Sequence, residues 1–170
     1  VIPLLQAKGI KVTAVQNSLT SLADDVAAAK RAIDNQPGKV VLVGHSWGGT
    51  VITEAGAGDK VASLVYVAAF APDVGQATSD LGKDLPPAPG ITKLTVEKFG
   101  FASLSPAVLK EDFAQDVPAP HAAVMAATQG PIAVKASGAK TTELPTSHVP
   151  QQSRPEDVAK VILDAVAASK

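Results

Sequence analysis

Ser46 sits in the run Gly44-His45-Ser46-Trp47-Gly48, a G-x-S-x-G pattern. The apolar stretch Val40–Val43 precedes it, and a segment with helical character follows to about Ala55, closed by Gly56 and Gly58. A serine at a sharp strand-to-helix turn suits nucleophilic attack. The turn is expected to hold Ser46 in a strained backbone conformation and lift Oγ out of the sheet. Glycine is expected at 44 and 48 because side chains there would collide with the turn. The helix N-terminus beneath Oγ favours developing negative charge. The backbone N–H of Trp47 points at the same spot and is expected to serve as an oxyanion donor.

A serine hydroxyl needs a base. The three histidines are His45, His121 and His148, and their spacing suits no metal site. His148 lies in a loop between a short strand and the last helix, at the sheet edge that also carries Ser46. It is the expected general base. His45 neighbours the nucleophile, and the elbow should turn it away from Oγ. His121 lies in a region rich in proline, where a solvated or substrate-lining role is expected.

The elements that must position these groups follow from apolar spacing. Residues 1–7 read as the end of a helix, with Gly9 as its stop. Residues 10–15 alternate like a strand. Ser21 caps a helix with Leu22, Val26, Ala29 and Ile33 on one face. Residues 40–43 and 61–70 are apolar runs expected as strands buried on both faces. This helix–strand rhythm implies an α/β architecture with parallel strands. From Ala71 to Gly130 the chain changes character. Helices are expected at 107–114, opened by Ser105-Pro106, and at 119–128. They read as a cap-like insertion over the sheet. The rhythm resumes with a strand at 140–144. A capping box, Ser153 to Glu156, then opens a helix whose stripe is Val158, Val161, Ile162, Ala165 and Val166.

Composition narrows the partners. The 170 residues are 46% hydrophobic and 18% charged with net charge −1, which fits one folded domain and offers no basic field for nucleic acid or anionic membrane. There is no cysteine, so disulfides and thiolate chemistry are excluded. No apolar stretch has membrane-spanning length and no secretory signal is visible, so the expected location is cytoplasmic.

With Ser46 and His148 in place, the sequence resembles the α/β-hydrolase superfamily. Within it the likeness is to small bacterial serine esterases (salicylate-esterase-like) and their plant relatives, the methylesterases and hydroxynitrile lyases. Residues 1–26, 40–56, 61–73 and 147–165 carry it. The resemblance implies an α/β-hydrolase fold, with a mostly parallel sheet flanked by helices and a small helical cap. It implies one domain over 1–170 with the insertion at about 73–130. It also implies Ser46 as nucleophile, His148 as base and Trp47 as oxyanion donor. The expected activity is carboxylesterase action on a small-molecule ester through an acyl-enzyme, with the cap shaping an apolar pocket over Ser46. No cofactor and no metal are expected, and oligomeric state is left open. The alternatives are a hydroxynitrile-lyase-like reaction and a non-catalytic binding module on the same fold.

The sequence departs from the family pattern twice. No strand with a His-Gly motif precedes the helix at Val1. No strand ending in a triad aspartate lies between the cap and His148, and no Asp occurs between Asp116 and Asp157. Glu143, on the strand just before His148, is a poor triad acid. Asp73, which follows the 61–70 strand, is the candidate substitute, with a plain loop acid at the cap entrance as its simpler reading. Interior strands are costly to remove, because ladder edges are left unpaired. The expectation is therefore that the sequence represents segments of a longer chain. The alternative is a minimal hydrolase completed by a partner chain.

Overall fold

The computed structural model describes residues 1–73, 76, 78, 81, 85–134 and 147–169. A short helix α1 (Ile2–Gln6) ends at Gly9, whose φ of +76° only glycine adopts readily. Helix α2 (Leu22–Asp34) starts where the sequence places a cap: Ser21 Oγ accepts from the Asp24 N–H at 3.1 Å. The Thr20 and Ser21 hydroxyls donate to Asp24 Oδ2 at 2.9 and 2.7 Å. The Ser21 bond foremost holds that carboxyl below its ordinary range. The buried face of α2 carries Val26, Ala29 and Ile33, and also Asp25.

Strands β1 (Val40–His45) and β2 (Val61–Val67) pair in parallel, with His45 opposite Val67. Helix α3 (Gly48–Ala55) crosses between them, as parallel strands require. One face of this pair packs Val65 and Val67 against Leu5 and against Val158, Ala159 and Ile162. Another apolar cluster, which Val40, Leu42 and Val61 flank, joins α2 to α3 through Val26, Ala29, Ile33, Trp47, Val51 and Ala55. Burying a Val, Leu or Ile side chain contributes about 1.5–3 kcal/mol, and the second cluster, which holds Trp47, Val51 and Ala55, anchors the start of α3.

Helix α4 (Pro89–Thr92) precedes a hairpin of β3 (Thr95–Val96) and β4 (Phe101–Ser103), which turns through Gly100 at φ +80°. Helix α5 (Pro106–Val108) runs into a π-helical turn, Leu109–Phe113, and α6 (Ala119–Thr128) follows. Strand β5 (Ile132–Ala133) pairs antiparallel with β4. A third core of Leu109, Ala114, Val117 and Ala122 takes in Val149, the residue after His148. Helices α7 (Pro150–Ser153) and α8 (Pro155–Ala168) close the chain.

The expected single, mostly parallel sheet is not what forms. The described strands make a two-stranded parallel sheet and a separate three-stranded antiparallel sheet. A strand exists only where a neighbour completes its ladder. Residues 10–15 have no ladder partner among the described residues: the Ile10 N–H turns back to the Leu5 carbonyl at 3.2 Å. Ile10 and Val12 still pack on the core, so their alternation marked burial and not pairing. The expected burial of β1 on both faces fails at Val43, which is 43% exposed. The antiparallel strands went unread because two or three residues are too short to show a period.

Smaller corrections concern element ends. Strand β2 stops at Val67 because Ala68 takes φ +41°, which lets the Phe70 N–H reach the Ser46 carbonyl at 3.1 Å. The capping box before α8 does not form; Ser153 ends α7 and no side chain caps α8. The α8 stripe is rotated, with Ala159 buried and Val161 exposed. The expected strand at 140–144 and Glu143 lie outside the described residues.

Candidate active site

Strand β1 delivers the chain to Ser46, whose φ is +52°. For a residue with a side chain this left-handed region is sparsely populated and stores strain. Hydrogen bonds overdetermine it. The Ser46 N–H donates to the Val67 carbonyl at 3.3 Å, and the Ser46 carbonyl accepts from Gly49 at 3.0 Å as well as from Phe70.

The glycines have distinct reasons. A Cβ on Gly44 would lie 2.5 Å from the Gly48 carbonyl oxygen. A Cβ on Gly49 would run into the Phe70 carbonyl oxygen. A Cβ on Gly48 would meet nothing within 4 Å. The expected collision is therefore real at 44 and absent at 48; the second tight position is Gly49.

His148 Nε2 lies 2.9 Å from Ser46 Oγ. With Nε2 unprotonated, the serine hydroxyl donates to it. The imidazole is wedged between two rings, Phe113 at a centroid distance of 4.6 Å and His45 at 5.0 Å. Burial, reinforced by the neighbouring His45, pushes the His148 pKa down to about 4. The ring is therefore neutral at physiological pH.

The loop that carries His148 is pinned on both sides. Asp116 Oδ2 accepts from the Ser147 N–H at 2.7 Å. Desolvation pushes the Asp116 carboxyl up, but hydrogen bonds, those from Ser147 foremost, outweigh it and leave the group below the ordinary range. Val149 is buried with Leu109, Ala114, Val117 and Ala122. His45 Nε2 lies 2.7 Å from the His148 carbonyl oxygen. Since a carbonyl only accepts, His45 must carry its proton on Nε2. Burial lowers the His45 pKa, with that hydrogen bond opposing it. His45 is turned away from Oγ, as expected, and instead touches the histidine that reaches it.

Trp47 precedes the first residue of α3, and its N–H has no acceptor among the described residues. Its indole is buried, and Nε1 donates to Asp25 Oδ2 at 2.8 Å. Asp73 is exposed beyond β2; its N–H donates to Gln76 Oε1 at 3.1 Å, and it makes no hydrogen bond to His148. Among the described residues no carboxylate accepts from Nδ1 of His148. His121 is exposed on α6, apart from these contacts. Among the described residues no group of three His, Asp or Glu is placed to hold a metal ion. No described helix is long and apolar enough to cross a membrane. A cavity of about 480 Å³ opens on the antiparallel sheet beside Thr95, Glu97, Phe101 and Gln129; neither Ser46 nor His148 lines it.

Sequence reasoning missed Asp25, Phe113 and Asp116 as parts of this region. Asp25 was legible in principle: it is three residues after Leu22 and four before Ala29, so an acid sits on the apolar stripe of α2. Phe113 and Asp116 carry no local signal.

A strand-to-helix elbow with a strained serine, and a histidine brought to it from a hundred residues away, define a hydrolase-type site. The family model described as the alpha/beta hydrolase family matches residues 13–137, and the chain belongs to that family. No curated protein matches the chain significantly. Among solved structures, polyneuridine aldehyde esterase matches with a TM-score of 0.81 at 21% identity, covering 96% of this chain and 91% of its own. A pyrethroid hydrolase from Sphingobium faniae JZ-2 matches with a TM-score of 0.70 at 22% identity, covering 98% and 90%. Tomato methylketone synthase I, bound to 2-tridecanone, gives 0.71 at 15% identity, covering 99% and 92%. At these identities the likeness is one of fold.

Proposed function

We propose that the protein is a serine carboxylesterase acting on small-molecule esters, with Ser46 as nucleophile, His148 as general base and the Trp47 N–H as an oxyanion donor. The observation that carries this reading is the 2.9 Å contact between Ser46 Oγ and His148 Nε2 at a serine held at φ +52°. The fold shared with an esterase and a pyrethroid hydrolase supports it.

In the first half-reaction the Oγ–H proton passes to His148 Nε2 while Oγ bonds to the ester carbonyl carbon. The carbonyl oxygen gains negative charge, which the Trp47 N–H and the start of α3 stabilise. The C–O bond to the alcohol then breaks, and His148 returns the proton to the departing oxygen. In the second half-reaction water gives its proton to His148 and attacks the acyl carbon. The acid leaves, and Ser46 recovers its hydrogen. The segment at about 73–130 forms the cap of a single domain in this reading.

The test combines turnover of p-nitrophenyl acetate with capture by a p-nitrophenyl phosphonate and mass mapping of the adduct. The expected results are ester turnover, an adduct on Ser46 and loss of both in Ser46→Ala. Undiminished hydrolysis by Ser46→Ala would overturn the nucleophile.

A further inference from the structure

We infer that Asp25 is a positioning residue for the oxyanion donor: its carboxylate clamps the Trp47 indole and so fixes the peptide that joins Ser46 to Trp47. This deepens the proposed esterase reading and rests on it.

Asp25 is fully buried, at 0% exposure. Taking a carboxylate out of water costs several kcal/mol unless donors replace the water. Three do. Trp47 Nε1 donates to Oδ2 at 2.8 Å. The Leu19 N–H donates to Oδ1 at 3.0 Å, and Ser18 Oγ to the same atom at 3.3 Å. Asp25 also lies in the first turn of α2, where the helix favours negative charge. The group is therefore a satisfied buried ion with one side committed to the elbow.

That commitment acts at the reacting centre through covalent geometry. Ser46 and Trp47 share one peptide plane, so the direction of the Trp47 N–H and the placement of Oγ are coupled. The apolar neighbours Val26, Ala29, Ile33 and Val51 share a buried cluster with the indole, and apolar contact is non-directional. The bond from Nε1 is directional. Rotating the 46–47 peptide would break it and leave a buried carboxylate oxygen unpaired. The other oxygen holds Leu19, a residue at φ +59° whose carbonyl accepts from the Ala133 N–H at 3.0 Å. The same carboxylate thus ties the elbow to the loop on which β5 rests.

Trp47 is the only tryptophan in the chain, so its indole N–H gives a single resonance that reports the clamp. The test compares wild type, Asp25→Asn, Trp47→Phe and the double variant. A carboxamide accepts on one side only, and phenylalanine keeps the ring but loses the donor. Expected in each single variant is a fall in kcat for p-nitrophenyl acetate of roughly 10- to 100-fold, with KM within about twofold. The rate of phosphonate capture should fall in parallel. The double variant should be no worse than the poorer single one, because both act through one contact. In Asp25→Asn the indole N–H resonance should move upfield and exchange faster. Trp47→Phe alone carries the test if Asp25→Asn does not fold. An active wild type whose variants lose only thermal stability, or whose kcat losses multiply, would overturn the role of Asp25. A wild type that neither turns over ester nor takes up phosphonate would overturn the esterase reading and this role with it.

Discussion

The Nε2–H of His45 donates to the backbone carbonyl of His148 at 2.7 Å, so the residue before the serine holds the residue that reaches the serine. The bond joins the end of β1 to the loop before α7, and it fixes the imidazole that contacts Oγ from behind. His45→Ala removes this bond, a ring contact and a neighbour that disfavours the charged form of His148. An ordinary hydrogen bond contributes about 1 kcal/mol, or about fivefold in rate. The expected outcome is a kcat lower by about that factor. The acid limb of activity should move from about pH 4 toward the ordinary 6.5. A pH–rate profile of the variant checks both.

In the wild type the His148 pKa is depressed to about 4 by burial first and His45 second. The ring is competent once unprotonated, so kcat/KM should rise through about pH 4 and stay level across neutral pH. A limb near 6.5 would contradict the buried setting of the ring. The stability linkage has a definite sign. His148 and His45 both have folded pKa values below their unfolded 6.5. Between about pH 4 and 6.5 the unfolded chain therefore binds more protons, and stability falls as pH falls through that window. Each unit of depression corresponds to about 1.4 kcal/mol. Urea midpoints measured from pH 7 down to pH 4 should decline accordingly.

The elbow glycines separate by space. Gly44→Ala and Gly49→Ala force a Cβ into backbone atoms, and each should cost about 1–3 kcal/mol or more. Gly48→Ala enters open space at the first residue of α3, where alanine is favoured over glycine by about 1 kcal/mol. It should be neutral or stabilising. Thermal melts of the three variants check this order.

Asp116→Ala removes the Oδ2 acceptor of the Ser147 N–H and loosens the loop that carries His148. The carboxylate is exposed, so water takes its place and stability should change by less than about 1 kcal/mol. Activity should fall more, by about tenfold, because the imbalance falls on the placement of the base. Asp116→Asn keeps an acceptor and should recover most of the rate. Steady-state kinetics beside a melting curve separate the two effects.

The elbow was legible because its requirements are local. An apolar strand, a serine between glycines and a helix start lie within about a dozen consecutive residues, and the covalent chain alone brings them together. The α2 stripe and the Ser21 cap are local for the same reason. His148 was legible as a candidate by its place after the sheet, but its distance to Ser46 was not. The sheets were misjudged because pairing is a property of two segments. Residues 10–15 have the alternation of a strand and no described partner, while β3, β4 and β5 have partners and too few residues to alternate.

What the sequence by itself determined, then, is the turn that carries Ser46 and the order of the elements that flank it, since backbone sterics and apolar periodicity act over a few residues. Tertiary structure decided the rest. It placed His45 on His148, Asp116 on Ser147 and Asp25 on Trp47, across 103, 31 and 22 positions of chain. Burial makes such polar groups find partners, but which partner each finds depends on packing that no local pattern encodes.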